Sequence, residues 1–198
     1  MADKVVLDFR SSDGPTATHV RSTLLGSSLE TMRVLGFYER FASLLPSAYH
    51  EQILYTFAPM WLPVDVAVAY YDTWARLGLS EPELEHAAGM VCERIMGSFL
   101  ATLARGARQS GATPWIPLRQ YDRLWSRIFR GGAVRVTEKG PKDALIETHG
   151  LPMLRSPYFR LAYRSLLMTA GRLFARKLHM RERRVKASDA YAVLASWV

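Results

Sequence analysis

The chain has 198 residues, 49% hydrophobic and 22% charged, the balance of a folded domain with room for one substantial core. Its single cysteine, Cys92, excludes an intrachain disulfide and any multi-cysteine zinc site. The formal charge of +8 is uneven: residues 1–150 are neutral, and residues 151–198 hold 10 basic and 2 acidic residues, so the whole excess lies there.

The opening MADKVVLDFRSSDG lacks the basic n-region and apolar core of a signal peptide, and no apolar run approaches the ~20 residues of a bilayer span. A cytoplasmic protein is therefore expected. Residues 1–27 read as a partly ordered arm, with a short strand in VVLDF and a turn-rich linker in SSDGPTATH; residues 28–198 read as a single α+β domain.

Helical periodicity runs from Ser28 to Pro46 through Leu29, Met32, Leu35, Phe37 and Phe41. Ser47 is placed to cap AYHEQILYTF, and Pro63 to open VDVAVAYYDTWARL, which Gly78 follows. SEPE sets Ser80 against Glu83, a capping box, at the head of a helix expected to reach Gln109. TPWIPL is a rigid connector, and RQYDRLWSRIF a helix stopped by Gly131-Gly132.

AVRVTEK alternates with period 2, Gly140-Pro141 turns the chain, and ALIETHG returns it. A long helix is expected from Tyr158, YFRLAYRSLLMTAGRLFARKL, and a second hairpin in HMRERRV and AYAVLASWV. The fold class is thus α+β: an N-terminal helical bundle followed by a small antiparallel sheet of two hairpins with a long helix between them.

TPWIPLRQYDRLWSRIF, GPKDALIETHGLP, SPYFRLAYRSLL and YAVLASW resemble a myxobacterial paralogous family of small uncharacterised bacterial proteins. More distantly, the layout resembles the fold of heme-nitric-oxide sensor domains, vinyl-4-reductase domains and TRAPP subunits. That fold implies binding of a small apolar ligand or heme, or dimerisation and scaffolding. Heme sensors of this fold use Tyr-x-Ser-x-Arg on the porphyrin propionates. Here Tyr163-Arg164-Ser165-Leu166-Leu167 puts leucine where the cation belongs, which argues against heme and leaves no cofactor expected.

None of His19, His50, His86, His149 and His179 forms H-x-x-x-H or H-E-x-x-H, so no metal site is expected; His149, at the end of a strand, is the one to inspect. Glu81 and Glu85 read as helix-capping charge rather than an acid–base pair, and neither a G-x-S-x-G elbow nor a P-loop occurs. The expected function is non-enzymatic: a ligand-sensing or protein-interaction module, acting in signalling or as a scaffold, as a homodimer.

Tyr70, Trp74, Trp125, Phe129, Phe159 and Tyr163 are the expected wall of an apolar ligand pocket between helices and sheet. An alternative uses Arg172, Arg176, Lys177, Arg181, Arg183, Arg184 and Lys186 as a patch for nucleic acid or another anionic partner. The third reading, an enzyme built from dispersed residues, has no motif behind it.

Overall fold

The computed structural model describes residues 4–8, 15–55, 59–96 and 113–198. These form a mixed α+β fold with two antiparallel sheets. Strand β1 is Lys4–Leu7, β2 His19–Arg21, β3 Trp61–Pro63, β4 Phe129–Arg130, β5 Ala133–Gly140, β6 Asp143–His149, β7 Leu178–Arg183 and β8 Tyr191–Trp197. The described helices are α1 (Ser22–Leu35), α2 (Tyr38–Leu44), α3 (His50–Leu54), α4 (Val64–Arg76), α5 (Glu81–Met96), α6 (Trp115–Leu118), α7 (Tyr121–Ile128) and α8 (Pro157–Arg172). None of them is long and apolar enough to cross a membrane.

The hairpins β5–β6 and β7–β8 join through β6–β8, with α8 between them in sequence. The two-hairpin description is incomplete in two respects. First, β1 adds antiparallel to β5, so the sheet has five strands in the order β1-β5-β6-β8-β7. Second, a three-stranded sheet, β3-β2-β4, ties residues 19–21 to 61–63 and 129–130. Strands of two or three residues are too short to show a period, and Phe129 and Arg130 read as the tail of a helix that in fact ends at Ile128. On this small sheet the Arg21 and Arg130 guanidiniums lie 4.2 and 4.5 Å from the Trp61 ring centroid.

Other boundaries move for local reasons. The helix expected from Ser28 begins at Ser22 and divides at Gly36, whose φ of 77° closes α1. Ser47 caps nothing: it opens a short 3-10 turn, and α3 starts at His50. Ser80 and Glu83 do interact, the carboxylate accepting from the Ser80 N–H at 2.8 Å and from its hydroxyl at 2.6 Å. The expected continuation of α5 to Gln109 lies outside the described residues. Helix α8 ends at Arg172 rather than near Leu178, because Leu178 turns back to pack where a Gly171 side chain would stand.

The N-terminal segment is threaded tightly. Ala17 N–H donates to Gly150 O at 2.7 Å and Thr18 N–H to Arg130 O at 2.8 Å. Gly131 (φ 81°) and Gly150 (φ 68°) flank it, and a Cβ on either would collide with the backbone of Pro15 or Thr16. The main core lies on the inner face of the five-stranded sheet, around α8 and α4, with Trp74, Tyr70, Tyr158 and Met153 fully buried.

Candidate functional site

The site grows from two helical stripes. Helix α7 turns Tyr121, Leu124, Trp125 and Ile128 inward at i, i+3, i+4 and i+7, while α8 offers Tyr158, Phe159, Ala162, Tyr163 and Leu166. These stripes do not fully close on Val91 and Cys92 of α5, Leu24 and Ser28 of α1, Tyr71 of α4 and Phe129. They leave an apolar cavity of about 60 Å³. One water needs roughly 10–15 Å³ on this scale, so the void has room for a few heavy atoms. A second apolar cavity, about 70 Å³, lies on the other side of α7 between α8 and the sheet. It shares Tyr121 and Leu124 with the first, so α7 is the partition between them.

Polar groups are few and buried. The Tyr163 hydroxyl is 2.7 Å from Thr148 Oγ1 and makes a short contact with the Tyr121 hydroxyl, a three-member relay that pins α7 and α8 to β6. At the α1 side Ser28 is 2% exposed, and its hydroxyl makes no hydrogen bond of ordinary geometry; nor do Tyr70 OH and Trp74 Nε1 beside it. With the Tyr158 hydroxyl these atoms gather into a knot with unused hydrogen-bonding capacity. The Cys92 thiol is 3.9 Å from Ala162 O, and burial pushes it up to about 12.

Burial likewise raises Tyr70, Tyr71, Tyr121, Tyr158 and Tyr191, and pushes Tyr163 up to about 12. For a phenol or thiol a raised value favours the neutral form in the folded state. The associated stability is fully present below the unfolded values of roughly 9–10 and is lost as pH climbs toward the folded ones. Each such group steepens the fall by up to about 1.4 kcal/mol per pH unit. Cys92 and Tyr163 together predict a loss of more than about 3 kcal/mol between pH 8 and pH 11. Urea midpoints across that range check this, and a flat profile would contradict the burial of these groups.

Of the six expected wall residues, Trp125, Phe129, Phe159 and Tyr163 line the cavity. Tyr70 and Trp74 do not reach it. They lie in solid core, both 0% exposed, where Trp74 stacks on Tyr158 at 4.1 Å and Tyr70 packs on Phe41 at 5.1 Å. Tyr71, one residue along α4, faces the cavity instead. Sequence reasoning also missed Tyr121, Ser28 and Cys92; only Tyr121 carried a signal, four residues before Trp125 on one stripe.

All seven residues of the expected anionic-partner patch are exposed. Arg172 and Arg176 stand at and beyond the end of α8, and Lys177 precedes β7. Arg181 and Arg183 lie on β7, an edge strand, while Arg184 and Lys186 lie in the turn after it. Cations on a free strand edge also discourage edge-to-edge pairing. His149, at the end of β6, is half-buried and takes no part in the cavity. Among the described residues no cluster of three His, Cys, Asp or Glu could hold a metal.

No family model matches the chain, and no curated protein matches it. A solved structure from work on modulating heme redox potential through protein-induced porphyrin distortion superposes with a TM-score of 0.58 at 10% identity, over 89% of this chain and 99% of that one. The chain therefore shares an α+β fold with a protein studied for its heme, and at that identity the likeness extends to the fold alone.

Proposed function

We propose that the protein is a non-enzymatic ligand-sensing domain that takes a small, neutral, apolar molecule into the cavity between α5, α7 and α8. One observation carries this reading: an apolar void bordered by Ser28, whose buried hydroxyl makes no hydrogen bond of ordinary geometry, and by Tyr121 and Tyr163 of the relay to Thr148. Such a lining rewards an apolar body with a single hydroxyl or carbonyl. Among the described residues no Lys, Arg, Asp or Glu lines it, so a charged ligand would lose its hydration without compensation from them. A ligand that displaces α7 would join the two cavities and move the surface α7 presents, which is the signal a partner would read.

The lining does not fit heme. Iron needs an axial His, Met, Tyr or thiolate. Among the described residues no histidine or methionine lines the cavity, burial keeps the Cys92 thiol protonated, the Tyr121 and Tyr163 hydroxyls are engaged, and no cation faces the place of the propionates.

The test is thermal and mass-spectrometric. Phenol or benzyl alcohol, larger than the 60 Å³ space and so admitted only as α7 gives way and the two cavities join, should at about 100 times its dissociation constant add about 2.7 kcal/mol, a rise of roughly 5–10 °C in Tm. Ala162→Leu, which fills the cavity, should abolish the shift. Native mass spectrometry reads bound ligand and oligomeric state together. No shift with either compound, or an equal shift in Ala162→Leu, would overturn the reading.

A further inference from the structure

Beyond the end of α8 lies a groove of about 750 Å³, which meets the second cavity at Pro114 and Trp197, shares no residue with the first, and is within the roughly 300–1,000 Å³ usual for small-molecule sites. One wall carries Lys142, in the turn between β5 and β6; the other carries Arg172 and Arg176. Between and beneath them lie Leu173, Phe174 and Trp197. All three cations are exposed and Trp197 is 5% exposed, with Leu173 and Phe174 half-buried and Val198, also on the lining, 68% exposed.

The frame is fixed by hydrogen bonds. Trp115 Nε1–H donates to Pro141 O at 2.9 Å, and the Trp197 N–H donates to Lys142 O at 3.1 Å. The Arg176 N–H donates to Val198 O at 3.1 Å, and the Trp115 and Trp197 rings meet edge-on at 5.1 Å. Both walls are therefore held in place by backbone contacts. No ion pair to Lys142, Arg172 or Arg176 occurs among the described residues. Helix-dipole complementarity accounts for Arg172, at the end of α8, but not for Lys142 across the groove or for the aromatic floor.

We propose that this groove binds a free aromatic anion: a carboxylate, sulfonate or phosphate held among Lys142, Arg172 and Arg176, with its ring over Phe174 and Trp197. Three like charges around one concavity focus a positive potential that a bound anion relieves. The floor supplies aromatic and apolar contact for the ring. A membrane headgroup is disfavoured because a lipid-binding face puts a row of large apolar side chains outermost, whereas here Trp197 is buried, Leu173 and Phe174 are half-buried and Val198 alone of these stands out. This inference does not rest on the cavity reading, since the groove shares no residue with the cavity between α5, α7 and α8.

Isothermal titration of the full chain with 2-naphthalenesulfonate tests it. Saturable binding is expected, weakened at least about tenfold in Arg172→Glu/Arg176→Glu and again when NaCl rises from about 50 to about 500 mM. Neutral 2-naphthylmethanol should bind at least about tenfold more weakly. Ala162→Leu should leave the affinity unchanged, which separates this site from the cavity. The milder Lys142→Ala should weaken binding by itself and serves if the double variant misfolds. No binding, equal affinity for the neutral analogue, loss of binding only in Ala162→Leu, or binding confined to anionic vesicles or to nucleic acid would overturn the proposal.

Discussion

Alanine at Gly150 is expected to destabilise the protein by about 3–5 kcal/mol, lowering Tm by roughly 10 °C. Two costs combine. The φ of 68° places any L-residue in the left-handed region, and the new methyl would occupy the position of the Pro15 carbonyl. Relief would require breaking the hydrogen bond from Ala17 N–H to Gly150 O. Gly36→Ala is the control, because its φ is 77° but nothing lies within 4 Å of the added carbon. It should cost only about 1 kcal/mol. Urea denaturation of the two variants separates conformational cost from collision, and equal losses would show that the slot around Pro15 and Thr16 is loose.

Trp74→Ala should cost about 3–5 kcal/mol, the range for emptying a large buried aromatic site. Trp74 is 0% exposed, stacks on Tyr158 with planes 10° apart, and lies 6.5 Å from Phe41. Its indole N–H makes no hydrogen bond of ordinary geometry, only a poorly aligned approach to the Tyr70 hydroxyl, so Trp74→Phe removes a poorly satisfied donor along with some volume. That variant should lose under about 2 kcal/mol, because the deleted donor offsets part of the packing loss. Trp74 does not line the cavity, so Trp74→Phe should keep the ligand-induced Tm shift. Trp125→Ala, which opens the cavity wall, should change it. If Trp74→Phe abolishes the shift while folding normally, the placement of Trp74 behind the wall is wrong.

Long, strongly patterned elements were legible in the sequence. The alternation of Val134 and Val136, the capping pair Ser80 and Glu83, and the stripe on α8 all correspond to observed elements. The small sheet was not, since β2, β3 and β4 are set by partners forty or more residues away rather than by local pattern. The cavity was half legible for a related reason. Helix α4 buries Val66, Ala67, Tyr70, Tyr71 and Trp74, and a stripe that wide does not say which aromatic residue meets solid core and which meets a void. Charge was legible as an excess in residues 151–198. That Arg172 and Arg176 face Lys142 depended on a β-turn from outside that region.

The glycine-walled slot also governs the order in which the protein can be completed. Residues 15–18 leave a ribosome early, yet their partners Arg130 and Gly150 lie more than a hundred positions later. β1 likewise waits for β5, joining Lys4 to Glu138. During vectorial synthesis these early segments stay without their native neighbours until most of the chain has emerged, and closing so long a loop is intrinsically slow. The helical elements can form from local contacts well before that point. Residues 15–18 can therefore dock between Gly131 and Gly150 only after both have been made, a seam that joins segments far apart in the order of synthesis.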